Sequence, residues 1–137
     1  MTRITGIAAG LTATIALATF TVGHAQQPAP QTGFKRTVLQ QGDLSAPGRE
    51  VVQALAEIQP GAESGKHTHP GEEIAYILEG AISLEIQGKP SVIKKAGDAF
   101  MIPVGTVHNA RNTGTAVAKV LATYVIEKGK PAATPVP

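Results

Sequence analysis

Two stretches of this chain alternate with a period of two, and that alternation narrows the fold more than any other feature. In 81–88, Ile82, Leu84 and Ile86 alternate with Ser83, Glu85 and Gln87. In 117–126, Ala118, Val120, Ala122 and Tyr124 alternate with Val117, Lys119, Leu121 and Thr123. A period of two sends successive side chains to opposite faces of a strand, whereas a helix repeats every 3.6 residues. Outside the first 25 residues, no window of ten or more carries a helical apolar stripe. Further extended runs at 34–40, 51–58, 73–78, 91–94 and 99–102 stop at turn signals such as Gln41-Gly42-Asp43, Gln59-Pro60-Gly61, Glu79-Gly80 and Pro103. Short strands about ten residues apart, punctuated by Gly and Pro, predict an all-β sandwich or barrel.

The two ends are of another character. Residues 1–25 begin with Arg3, continue through an apolar stretch, and place Gly23 and Ala25 at the −3 and −1 positions of a cleavage site. That is the layout of a secretory signal peptide. The competing reading is a retained membrane anchor, since the apolar stretch is long enough to span if tilted. Thr5, Thr12, Thr14 and Thr19 interrupt it, and a polar segment follows at once, so cleavage after Ala25 is expected. The protein is then periplasmic or secreted, with no stable membrane anchor. Residues 26–33 (QQPAPQTG) and 128–137 (KGKPAATPVP) read as a flexible linker and a flexible tail, leaving 34–127 as the domain.

Removing 25 of the 137 residues leaves 112, enough for a single modest core. Cysteine is absent, which excludes disulfides, a thiolate metal site and a cysteine nucleophile. The 12 basic and 10 acidic residues are scattered, and aromatics make up 4% of the chain. Neither a basic patch nor a stacking platform for nucleic acid is present in the sequence.

Cleavage also removes His24, so the mature histidines are His67, His69 and His108. His67 and His69 are two apart and share one face of an extended segment. Glu73 follows a Pro70-Gly71 turn able to fold the chain back and return a carboxylate to the same place. His108 arrives from elsewhere, behind a loop shaped by Pro103 and Gly105. Imidazoles and a carboxylate so gathered suit a divalent metal, although a His-x-His pair on a strand is equally a solvated face. Glu72 competes with Glu73 by proximity; strand alternation sends it to the opposite face.

These segments resemble the two motifs of the cupin superfamily. In 61–80 the order is Gly61, five residues, His67, one residue, His69, three residues, Glu73, six residues, Gly80. In 97–112 it is Gly97, five residues, Pro103, one residue, Gly105, two residues, His108, three residues, Asn112. The motifs and the 16 residues between them cover 61–112, and the likeness extends less specifically over 34–127. The resemblance implies a double-stranded β-helix, or jelly-roll barrel, of the small single-domain kind. It also implies that His67, His69, Glu73 and His108 hold one divalent ion: iron, manganese, nickel, copper, cobalt or zinc. Gly61, Gly80, Gly97, Pro103, Gly105 and Asn112 are then turn residues. Ala75, Tyr76, Ile77, Phe100, Met101 and Ile102 are expected in the core, with Ala75 and Ile77 on the Glu73 side.

Such a centre, with coordination positions to spare, favours a metal-dependent oxidoreductase of dioxygenase type acting on a small organic molecule. No catalytic residue beyond the ligands is evident. The alternatives are a non-catalytic module binding metal or a small ligand, and a metal-dependent isomerase or lyase. A homodimer built on the edge strand 34–40 or 51–58 is a further expectation.

Overall fold

The alternating run near the C-terminal end of the domain becomes the central strand of a five-stranded sheet, and the rest of the barrel is organised around it. The computed structural model describes residues 32–137. Residues 1–25, expected to be a signal peptide, and residues 26–31 of the expected linker lie outside the described residues.

Ten strands follow in order: β1 Phe34–Asp43, β2 Arg49–Ile58, β3 His67–Thr68, β4 Gly71–Glu79 and β5 Ala81–Ile86, then β6 Val92–Lys95, β7 Ala99–Ile102, β8 His108–Arg111, β9 Ala118–Glu127 and β10 Thr134–Pro135. They form two antiparallel sheets, ordered β1-β2-β9-β4-β7 and β10-β3-β8-β5-β6. The interleaved order, with β4 and β9 in one sheet and β3, β5 and β8 in the other, is that of a jelly roll. Among the described residues no helix is long and apolar enough to cross a membrane.

The inner faces follow directly from the period of two. Along β2, Glu50, Val52, Ala54, Ala56 and Ile58 are buried; along β9, Ala118, Val120, Ala122, Tyr124 and Ile126. One end of the barrel is closed by Ile58, Ile77 and Ile82 packed with Val120, drawn from both sheets. Each such isoleucine contributes about 1.5–3 kcal/mol on full burial. Near the middle the side chains shrink. Ala54 faces Ala122 across β2–β9, and Ala122 faces Ala75 across β9–β4, so three alanines lie in a row. The next row is Val52, Tyr124, Glu73 and Ile102. Small residues in one sheet leave room for large polar side chains from the other.

Several expectations are corrected. Gln41-Gly42-Asp43 does not end β1: these residues pair with Val52, Val51 and Glu50, and a bulge between Val38 and Gln40 absorbs the irregularity. The run 51–58 is not an edge, because β2 pairs with β1 on one side and β9 on the other. Residues 108–111 form β8, which has no alternation to betray it because His108 and Asn109 are both buried. Tyr76 and Met101 face outward, 46% and 59% exposed, rather than into the core. Met101 lies opposite Ile74, which is also exposed, on the outer face of β4–β7. Ala75, Ile77 and Ile102 are buried as expected. The tail 128–137 also departs from expectation: it runs back along the barrel and ends in β10 against β3.

Gly71 is the tightest backbone position. A Cβ there would lie 1.9 Å from the Val125 carbonyl oxygen and 2.7 Å from the Ile126 Cα. The residue begins β4 two places before Glu73, so any shift passes to the site. Gly71→Ala is expected to destabilise the protein by more than about 2 kcal/mol in urea unfolding. Gly42→Ala, with no atom within 4 Å of its Cβ, is expected to change stability by less than about 0.5 kcal/mol.

Candidate metal centre

His67 and His108 lie directly opposite each other across β3–β8, so their side chains leave the same face of that sheet. His69 follows two residues on, just past β3. Glu73 reaches in from β4 of the other sheet, where Glu72 faces the alternate side. All four residues proposed as ligands from sequence thus meet inside the barrel. The three rings are 4.2–5.0 Å apart between centroids, and their ligand nitrogens lie within 4.8 Å of one another. Glu73 Oε2 is 3.1 Å from both His69 Nε2 and His108 Nε2.

Each imidazole is oriented by a backbone carbonyl on its far side. His67 Nδ1 donates to Gly65 at 2.7 Å, His69 Nδ1 to Ala132 at 2.5 Å and His108 Nδ1 to Thr106 at 2.9 Å. A neutral ring with its hydrogen on Nδ1 carries a lone pair on Nε2. Two such lone pairs then confront an ionised carboxylate oxygen at 3.1 Å, an arrangement that repels unless a cation or a proton lies between. Ligand atoms bound at right angles around one ion lie about 3.0 Å apart when each bond is about 2.1 Å. The donor set, and the 3.1 Å spacing of Glu73 from His69 and His108, therefore fit a divalent metal.

The electrostatics favour the ligand forms. Burial holds His67 down to about 4, and the neighbouring His108 and His69 add to that effect against the opposing pull of the Gly65 carbonyl and Glu73. Burial alone would raise the Glu73 carboxyl, but a proton shared across its 3.1 Å contacts with His108 and His69 outweighs burial and holds it at about 2. Above pH 6.5 the site offers a neutral His67 and a charged Glu73.

Three elements of the site were missed from sequence. Tyr124 packs its ring 4.6 Å from that of His69 and lines the same cavity as Glu73, His67 and His108. Burial, with the Glu73 charge adding, pushes its hydroxyl well above the usual phenol range. Strand alternation had placed Tyr124 inward, and it is the one hydroxyl on that face of β9. Arg36, on β1, sets its guanidinium 5.8 Å from the Tyr124 ring centre. Nothing in the sequence signals this, because the β1–β2 register is invisible there. The Ala132 carbonyl, from the supposed tail, is the third. The cavity leaves about 30 Å³ for the centre of a water molecule, walled by Phe34, Ile82, Leu84 and Phe100.

The cupin domain family matches residues 54–124, just over half of the chain and inclusive of all four site residues. This chain belongs to the cupin family. Among curated relatives, the HTH-type transcriptional regulator PuuR of Escherichia coli is 32% identical over 79 residues, 57% of this chain and 42% of that protein. The cupin chain thus spans less than half the length of that relative. A predicted oxalate decarboxylase of Thermotoga maritima is 32% identical, with a TM-score of 0.50 over 58% of this chain and 84% of that one. A Klebsiella pneumoniae protein with a double-stranded β-helix domain superposes with a TM-score of 0.64 at 20% identity, covering 80% of this chain and 90% of that one. The last likeness is one of fold.

The pKa directions carry a stability prediction. The neutral form of His67 contributes stability that is complete above pH 6.5 and lost as pH falls towards 4. Ionised Glu73 contributes stability that is present above 4.5 and lost as pH falls towards 2. Metal-free protein is expected to lose roughly 2–3 kcal/mol between pH 7 and 4, from the depression of His67. Urea titrations at the two pH values measure it, and His67→Gln should flatten the dependence.

Proposed function

We propose that this cupin is an exported, mononuclear metal-dependent oxidoreductase of dioxygenase type, acting on a small organic molecule. One observation carries the reading: three imidazoles, each with Nδ1 committed to a backbone carbonyl, gather ligand nitrogens within 4.8 Å, and His69 and His108 set Nε2 3.1 Å from the Glu73 carboxylate. His67, His69, His108 and Glu73 would hold one divalent ion of iron, manganese, nickel, copper, cobalt or zinc. When bound, such an ion supplies Lewis-acid polarisation or redox chemistry to a substrate oxygen beside it.

The chain's own residues do the rest. Phe34, Phe100, Ile82 and Leu84 exclude water and limit the substrate to a small molecule. Tyr124 keeps its hydroxyl proton across the neutral range and, with Ser64, is a hydroxyl beyond the proposed ligands able to hold or donate a proton in the cavity. Secretion rests on residues 1–25; protein recovered from the cell envelope or medium is expected to begin at Gln26 when its N-terminus is read by mass spectrometry.

A second reading, non-oxidative lyase or isomerase chemistry, draws on the predicted oxalate decarboxylase among the relatives and on the available Tyr124 proton. A binding module without turnover is the third outcome. Purified protein loaded with each of the six metals should retain about one ion per chain. His108→Ala should abolish retention, while Glu72→Gln should leave it unchanged. Oxygen uptake on incubation with phenolics and diketones supports the dioxygenase reading. Turnover without oxygen uptake selects the second, tight binding without turnover selects the module, and a folded protein that retains no metal ends all three.

A further inference from the structure

We propose that residues 132–136 are a positioning element of the metal centre, and that retention of the metal depends on this C-terminal strap. The inference rests on the reading of the three imidazoles as ligands. It starts from a weakness of β3. That strand has two residues, carries His67, leads directly to His69, and meets β8 through the single pair His67↔His108. A strand so short cannot hold its own side chains in place.

The strap supplies the other edge. Thr134 pairs with Thr68 and Pro135 with His67, and the Val136 amide donates to the Lys66 carbonyl at 2.9 Å. Pro135 lacks an amide hydrogen and so ends the sheet rather than inviting a further strand. Upstream, Ala132 packs against Val52, Ala54, Ala122, Tyr124 and Ile126, which sets its carbonyl at His69 Nδ1. The start of the strap is pinned as well: the Gly129 amide donates to the Glu50 carboxylate at 3.0 Å and the Lys128 amide to the Gly48 carbonyl at 3.0 Å. The Gly65 and Thr106 carbonyls lie two residues from the imidazoles they orient, whereas that of Ala132 lies 63 residues from His69. His69 is therefore the ligand whose tautomer and direction depend on a remote segment.

Two variants of the full chain test this, with cobalt(II) as the probe. One ends at Pro131. The other, made by semisynthesis, replaces the Ala132–Ala133 amide with an ester and weakens the Ala132 carbonyl as an acceptor without altering any side chain. Each is read by cobalt affinity, by the visible spectrum of the bound ion, and by the ¹⁵N shifts of His69 in metal-free protein, which report its tautomer. Affinity is expected to fall ten-fold or more in both, the usual cost of losing the partner of a ligating histidine. The His69 hydrogen should no longer reside solely on Nδ1, and the ester should leave the urea midpoint unchanged. Affinity within two-fold of the parent, or affinity lost with the His69 tautomer intact, overturns the proposal. If the shortened chain fails to fold, the ester decides. If the parent takes up no cobalt, the ligand reading fails, while the metal-free tautomer still decides the role of Ala132.

Discussion

Everything at the centre of this barrel depends on a set of hydrogen bonds that point away from it. Gly65, Ala132 and Thr106 each accept an Nδ1 hydrogen, and the remaining nitrogens of His69 and His108 then lie 3.1 Å from the Glu73 carboxylate. A flipped ring would bury an unpaired donor or acceptor, which costs about 1–3 kcal/mol. The orientation of the three imidazoles is thus enforced by backbone atoms whose positions follow from the turns around them. Gly65 and Thr106 act on rings two residues away, whereas Ala132 lies 63 residues from His69, so orienting that ring needs the long-range fold.

The second constraint is volume. Four polar side chains, one of them a charged carboxylate, occupy space that an ordinary sandwich would fill with isoleucine and leucine. The structure reconciles this by thinning the opposite wall to Ala54, Ala122 and Ala75, and by concentrating bulk at one end, where Ile58, Ile77 and Ile82 meet. Stability and chemistry are in this way assigned to different levels of one barrel. Tyr124 sits between them, touching the apolar row on one side and the His69 ring on the other.

Much of this was legible before any coordinates. The period of two in 81–86 and 118–126 announced half-buried strands, and the two spaced motifs brought His67, His69, Glu73 and His108 into one argument. What escaped is instructive in physical terms. β8 is hidden because His108 and Asn109 are both buried, so its pattern is not alternating. Met101 and Tyr76 look like core residues by composition, but alternation along β4 and β7 puts them on the outer face. The segment 128–137, rich in proline and alanine, has no side-chain pattern at all. Its strand pairing is made by backbone groups, which any sequence possesses and none displays, and its side-chain contacts, Ala132 on the core and Lys128 Nζ on Asp43, follow no period.

The register of β3 against β8 carries one last implication. His67 and His108 are neighbours across a sheet but lie on segments far apart in the chain, and they come together only when that long-range pairing forms. A chain in which that pairing has not formed offers only the nearby His67, His69 and Glu73, without His108. A metal that needs all four side chains would therefore be chosen late, by the finished barrel, from whatever ions surround the chain at the moment of closure. In a chain that crosses a membrane before folding, the composition of the fluid on the far side would select the metal as much as the ligands do.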